Sequence, residues 1–243
     1  MRASLVFVAA LTLAACSRDR SKSGTAQVES ADVPRDTLDD QALRKQMVDS
    51  IEEAGRVKSP RVLDAMRKVP RHLFVPEASV ADAYVDLALP IGNGQTISQP
   101  SIVAEMTDAL DPRPDSHVLE IGTGSGYQAA VLSLLARDVS TIEIVPELAD
   151  RAKKRLAQLG YPNVEVLNGN GYAGWPERAP FDRIILTAAP PMIPQTLIDQ
   201  LADGGTLVAP EGDDAQWLVR LTKDKDDINR ERIERVRFVP MVR

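Results

Sequence analysis

Apolar residues recur at helical spacing in the first half of the chain and in short alternating blocks in the second half. Leu43, Met47 and Ile51 repeat every fourth residue and so share one helix face. That helix is expected to begin near Thr37, a capping residue, with Asp39 and Asp40 in its first turn favouring the positive end of the dipole. Gly55 ends the run. Ser59 and Pro60 start a second short helix, Ser59 as cap and Pro60 at the first helical position. Val62, Leu63, Met66 and Val69 form its buried stripe. Residues 70–99 read as irregular, punctuated by Pro70, Pro76, Pro90, Gly92 and Gly94, and residues 101–110 as another helix.

From His117 onward the pattern alternates. Strands are expected at 117–121, 139–144, 163–167, 181–187 and 205–209, and helices at 126–136, 146–159 and 194–202. Strands alternating with helices of this size imply right-handed crossovers and an α/β fold with a doubly wound, mostly parallel sheet. Beyond Gly212, residues 216–222 and 233–239 read as strands joined by a charged turn at 223–230, an antiparallel pair closing one sheet edge. His72 and His117 read as surface or strand-start residues, and Trp175 and Trp217 as packing aromatics.

The first residues differ in kind. Arg2 is followed by an apolar run from Leu5 to Ala15 that is too short to span a bilayer and fits an export signal. Its end, Leu13-Ala14-Ala15-Cys16, resembles the bacterial lipobox, in which the cysteine is lipidated and becomes the new N-terminus. The expected organisation is a signal at 1–16, a flexible polar tether at 17–36 and a single domain at 37–243. Lipid anchoring through Cys16 would place the protein in the cell envelope or periplasm. If the signal is not used, or if Met47 is the start, the protein is cytoplasmic.

The chain has 243 residues and 44% hydrophobic content, enough for one well-filled core. A net charge of -6 argues against nucleic acid as a main partner. Cys16 is the single cysteine, so no intrachain disulfide forms, and two histidines are too few for a typical zinc site.

The candidate chemistry lies at the end of the first parallel strand, Val118-Leu119-Glu120-Ile121, which breaks into Gly122-Thr123-Gly124-Ser125-Gly126. Strand, glycine turn and helix is a geometry that offers backbone N–H groups to a nucleotide-like molecule. Tyr127 stands where the dinucleotide fingerprint has its third glycine, which weakens an NAD reading. Glu143 ends the next strand, about 20 residues on, where a carboxylate can accept from both ribose hydroxyls. Glu120 lies within the first strand, where a buried carboxylate needs a partner: a cationic ligand group, or a structural hydrogen bond to the glycine loop. A cofactor that combines ribose, adenine and a cationic amino-acid end is S-adenosylmethionine.

Several blocks together resemble the protein-L-isoaspartate O-methyltransferases. The most specific is Gly94-Gln95-Thr96-Ile97-Ser98-Gln99-Pro100 followed by Ile102-Val103-Ala104. Others are Val69-Pro70-Arg71, Phe74-Val75-Pro76, Leu89-Pro90-Ile91-Gly92, Leu119 to Gln128, Gly174-Trp175, Ala179-Pro180-Phe181-Asp182, Thr187-Ala188-Ala189 and Phe238-Val239-Pro240-Met241. The resemblance covers roughly residues 40–243. Two departures stand out: Gly169-Asn170-Gly171 where the family usually has Gly-Asp-Gly, and Ser101 where it often has Tyr.

The resemblance implies a Rossmann-like class I methyltransferase that esterifies the free α-carboxylate of L-isoaspartyl residues in damaged proteins, starting repair through a succinimide. It implies that Ser98 positions that carboxylate, with Thr96 and Gln99 assisting. For Ser98 alone, helix capping ahead of Pro100 is the competing role. Cofactor contacts are expected from Glu120, Gly122, Thr123, Gly124, Ser125, Gly126, Glu143, Asn170 and Gly171, with Asn170 weakening the adenine end. Residues 90–100 are expected to lie over the cofactor as a lid, and Thr187 to sit on the ligand side of the sheet. A carboxylate acceptor is already ionised at neutral pH, so no catalytic dyad is needed. The partners expected are isoaspartyl proteins and peptides, with no nucleic acid and no metal, and the enzyme is expected to act as a monomer. Two alternatives are a methyltransferase of another carboxylate or small molecule, and a non-catalytic envelope protein that keeps the fold. Export lends weight to the latter, because S-adenosylmethionine is made in the cytoplasm.

Overall fold

Thr37 and Asp40 close the first helix reciprocally. In the computed structural model, which describes Met1, residues 35–75 and residues 77–243, Thr37 Oγ1 accepts from Asp40 N at 3.2 Å and Asp40 Oδ2 accepts from Thr37 N at 2.8 Å. This capping box satisfies backbone donors that a helix start leaves orphaned. The export signal, Cys16 and most of the tether lie outside the described residues. The tether's end is revised: Asp36 grips Arg44 through two hydrogen bonds of 2.7 and 2.9 Å, so the folded unit reaches back to it.

Helix α1 (Leu38–Glu53) and α2 (Pro60–Lys68) follow as the periodicity predicts. Ser59 makes no side-chain cap; its N–H and that of Lys58 donate instead to the Asp108 carboxylate. The stretch read as irregular holds a 3-10 turn (Arg71–Phe74), a short α3 (Val80–Ala83) and a hairpin of β1 (Leu89–Gly92) with β2 (Gln95–Ile97). Asn93 and Gly94, both at positive φ, make its two-residue turn. Then come α4 (Pro100–Leu110), β3 (His117–Ile121), α5 (Tyr127–Ser133), β4 (Asp138–Glu143), α6 (Pro146–Gln158), β5 (Val164–Asn168), β6 (Phe181–Leu186), α7 (Gln195–Asp199), β7 (Leu201–Glu211), β8 (Gln216–Asp224) and β9 (Asp227–Val236).

The seven-stranded sheet has the order β5-β4-β3-β6-β7-β8-β9. β3 to β7 pair in parallel, and β8 and β9 continue antiparallel. The chain winds outward from β3 to β5, then returns to β6 on β3's other side, so β3 marks the point where connections diverge. Val118 packs into the core formed with α1, α2, α4 and α5, while Leu119 and Ile121 pack into the core on the opposite face.

The charged stretch at 223–230 is a two-residue turn at Lys225 and Asp226 with most of β9 beyond it. β9 is solvent-exposed on nearly every residue, so its charges cost little and blunt the sheet edge. Because β9 ends at Val236, the residues expected to finish it, 237–239, are free to turn inward. Both histidines are buried rather than at the surface, although His117 does open β3 as a strand start. His117 stacks on Phe181 with centroids 4.5 Å apart and bonds Asp138 and the Arg178 carbonyl. His72 Nδ1 meets Tyr84 Oη at 2.7 Å.

Candidate active site

The glycine loop follows β3, a strand whose five residues are all buried. Gly122, Gly124 and Gly126 all have positive φ, which suits glycine. At Gly122 a side chain is doubly excluded, because a Cβ would collide with Thr187 Oγ1. That hydroxyl donates to the carbonyl of Gly122 at 2.6 Å, stapling the loop to the end of β6. A Cβ at Gly126 would press on Leu156 of α6, so this glycine serves helix packing.

The loop amides do not form the anion cradle that the sequence suggests. Gly122 and Thr123 N–H donate to the Ile142 carbonyl, Gly126 N–H to the Thr123 carbonyl, and Gly124 N–H to Glu143 Oε2 at 2.8 Å. Glu143 Oε1 accepts from Val145 N at 2.9 Å. Each carboxylate oxygen keeps further lone pairs for a ligand.

Two chambers open at the carboxyl edge of the sheet. The larger, about 580 Å³, is lined by Glu143, Ile142, Ile144, Gly171, Gln95 and residues 239–242 beyond β9. The smaller, about 400 Å³, is lined by Ser98, Thr123, Ser125, Tyr127, Gln128 and Met106 among others. They share Thr96, Gly122, Gly124 and Thr187, which form a waist between them. Among the described residues, no Lys or Arg lines either chamber. With the amides of Gly122, Thr123, Gly124 and Gly126 already committed, these walls supply little to balance a phosphate charge.

The expected site residues therefore separate. Ser98, Thr96, Gly122, Thr123, Gly124, Ser125, Glu143 and Gly171 face one chamber or the other. The capping role for Ser98 falls away, because Gln99 is the cap residue of α4. Gln99 does not line either chamber; its amide donates to Ser101 Oγ at 2.9 Å. Gly126 lines neither chamber. Asn170 lines a shallower outer depression and caps the next turn by accepting from Tyr172 N.

Glu120 lies behind the loop, fully buried, and also lines neither chamber. Its Oε2 accepts from Thr141 Oγ1 at 2.5 Å, and Thr141 Oγ1 lies 2.6 Å from Thr123 Oγ1. That is the structural link to the loop, one of the two roles open from sequence. Burial pushes the Glu120 carboxyl up to about 8, against the Thr141 hydrogen bond.

One wall of the site was not assigned from sequence, and a second part, whose Thr96 was, takes the unexpected form of a hairpin. Residues 239–242 form the far wall of the larger chamber, held by backbone bonds between Ala189 and both Val239 and Met241. The Gln216 amide clasps Phe238 N and O, aiming the tail inward. The β1–β2 hairpin supplies Gln95 and Thr96, and Arg151 Nη2 fastens it to α6 through the Ile91 carbonyl at 2.7 Å. The Asn93-Gly94 pair was the available signal for the hairpin.

Known proteins of one kind share this architecture. The family model for protein-L-isoaspartate(D-aspartate) O-methyltransferase matches residues 42–243. The protein-L-isoaspartate O-methyltransferase of Methanospirillum hungatei JF-1 is 54% identical over 200 residues, covering 82% of this chain and 93% of that one. Its counterpart in a Synechococcus strain is 52% identical over 232 residues, covering 92% and 94%. A solved protein-L-isoaspartate O-methyltransferase superposes with TM-score 0.75 at 27% identity, covering 81% of this chain and 65% of that one. A Plasmodium falciparum relative, crystallised with S-adenosyl-L-homocysteine, gives 0.71 at 26% identity, covering 82% and 98%.

The buried Glu120 makes a pH-dependent contribution to stability. Its folded pKa of about 8 exceeds the value of about 4.3 in an unfolded chain. The stability linked to its protonated form is therefore full below pH ~4.3 and lost progressively until the pH passes the folded value. Glu120→Gln is expected to match the wild type near pH 4 and to gain on it steadily up to pH 8 in urea unfolding of the ligand-free protein. Parallel stability curves across that range would contradict the assignment.

Proposed function

The chain belongs to the protein-L-isoaspartate(D-aspartate) O-methyltransferase family, and on that footing we propose that it transfers a methyl group from S-adenosylmethionine to the free α-carboxylate of L-isoaspartyl residues. The observation that carries this reading is the pair of chambers meeting at Thr96, Gly122, Gly124 and Thr187, one with a buried carboxylate and the other with Ser98. A donor carrying ribose but no phosphate suits walls that contain a carboxylate and no Lys or Arg.

In this reading Glu143, fixed by Gly124 and Val145 N–H, accepts from the ribose hydroxyls. Ile142, Ile144 and Met241 give the adenine apolar walls, and Gly171 lets it approach closely. A Cβ at Gly171 would strike Ile121 and crowd Met241, which supports glycine there. Asn170 acts on this end only through the turn it caps. Glu120 acts from behind, holding Thr141 and through it Thr123. When bound, S-adenosylmethionine supplies an electrophilic methyl, and its loss leaves S-adenosylhomocysteine. Ser98 donates its hydroxyl hydrogen to the acceptor carboxylate and fixes one oxygen toward the waist, with Thr96 beside it. The β1–β2 hairpin shields that meeting point from water. No side chain needs to move a proton, because the acceptor arrives ionised. The following peptide nitrogen then attacks the methyl ester carbonyl and closes a succinimide, releasing methanol, without further help.

We further propose that Cys16 is lipidated and anchors the enzyme in the cell envelope, a reading supported by Leu13-Ala14-Ala15-Cys16 after an apolar run. A net charge of -6 supports proteins rather than nucleic acids as substrates. One chain carries both chambers, which supports action as a monomer.

The full chain is expected to methylate an isoaspartyl peptide and to leave its normal aspartyl twin at background in a tritium-transfer assay. Equal labelling of both peptides would contradict the substrate assignment. For the anchor, Cys16→Ala is expected to move the protein from the membrane fraction to the soluble fraction on immunoblots. An unchanged distribution would remove the lipid anchor from the account.

A further inference from the structure

Arg71 is buried without a counter-charge. It lies in the 3-10 turn between α2 and α3 and is completely excluded from solvent. Its Nε donates to the Ala83 carbonyl at 2.9 Å, and its Nη2 donates to the Ser98 carbonyl at 2.7 Å. Its Nη1 has no hydrogen-bond partner among the described residues. The guanidinium sits 4.9 Å from the centroid of Tyr127, whose hydroxyl is likewise buried and unpartnered. Two of the three residues it contacts in this way, Ser98 and Tyr127, line the smaller chamber.

Arg44 provides the contrast. It is nearly as buried, yet Asp36 neutralises it with two hydrogen bonds. Among the described residues, Arg71 forms no such ion pair. Asp86 attracts it through space, but that carboxylate is exposed and accepts from Ser101 N at 2.8 Å at the start of α4. An uncompensated buried cation is expensive, so its place directly behind the chamber asks for an anion in front.

We propose that Arg71 is a positioning and specificity residue: it holds Ser98 by its carbonyl, and its unneutralised charge selects acceptors that carry a free carboxylate. The inference rests on the isoaspartyl reading above, in which the substrate carboxylate is the missing anion. Arg71 touches neither chamber and acts through the Ser98 backbone and through its field. In a site of low dielectric that field is screened far less than at a surface.

The test compares two peptides that differ at one group, an isoaspartyl peptide and the same peptide with its α-carboxylate as a carboxamide. Binding of each is measured by calorimetry with S-adenosylhomocysteine present, so that no transfer occurs. The wild type is expected to prefer the carboxylate by at least tenfold, about 1.4 kcal/mol. Arg71→Met is expected to bring that ratio to about one, and Arg71→Lys to restore most of it. A purely structural arginine would weaken both peptides alike and leave the ratio unchanged, which would overturn the proposal. If Arg71→Met does not fold, Ser98→Ala decides. The preference survives loss of the hydroxyl if the charge lies behind it, and its collapse to one would place selection in the serine alone. A wild-type enzyme that methylates isoaspartyl peptides but binds acid and amide equally also overturns the role of Arg71. A wild type that methylates no isoaspartyl peptide fails the underlying reading instead.

Discussion

The carboxylate of Glu143 joins two pieces of backbone that would otherwise have no reason to converge. One oxygen accepts from Gly124 in the glycine loop, and the other from Val145 at the start of α6. The backbone carbonyl of the same residue accepts from Gly169, at the end of β5. Three successive carboxyl-edge loops are thus pinned at one residue. Charge-assisted bonds to backbone N–H groups are stronger than neutral ones and hold such a loop in a single shape. The floor of the larger chamber follows from that constraint, and so does the spacing between it and the Ser98 chamber.

The same constraint decides the kind of ligand. A glycine loop before a helix often offers its amides to phosphate. Here the amides of Gly122, Thr123, Gly124 and Gly126 are all bonded within the protein, and among the described residues no Lys or Arg lines either chamber. The glycines therefore serve geometry rather than anion binding. They let the backbone pass close against Thr187 and Leu156, where a Cβ would collide. The proposed donor, with ribose and a sulfonium but no phosphate, fits such a surface, and so does a second chamber backed by a buried arginine rather than by a catalytic base.

Much of the fold was legible because periodicity is local. The helices from Thr37 to Val69 and the parallel strands β3 to β6 need only the spacing of apolar residues to be recognised. The failures have physical causes. β9 hid because exposed strands tolerate charge, so its composition resembles a turn. The β1–β2 hairpin hid because its strands are very short and β1 carries Pro90 and Gly92, although Asn93-Gly94 signalled the turn. In the site, Glu143 and Gly122 could be anticipated because each stands beside a local signal, and Ser98 because the block around it resembles the family's. The wall formed by residues 239–242 could not, because it depends on the Gln216 clasp and on pairing with Ala189, contacts that span long stretches of sequence. Gln99, Gly126 and Asn170 sit in the right segments, but their side chains or Cβ positions face structure rather than the chambers.

The central claim is that the Glu143 chamber receives the nucleoside of the methyl donor. Calorimetric titration of S-adenosylmethionine into the full chain and into Glu143→Ala tests it most directly. The account predicts one site per chain in the wild type and an affinity loss of at least tenfold in the variant, with the loss also present for S-adenosylhomocysteine. Equal affinity in the two proteins, or no heat from the wild type at millimolar donor, would contradict it.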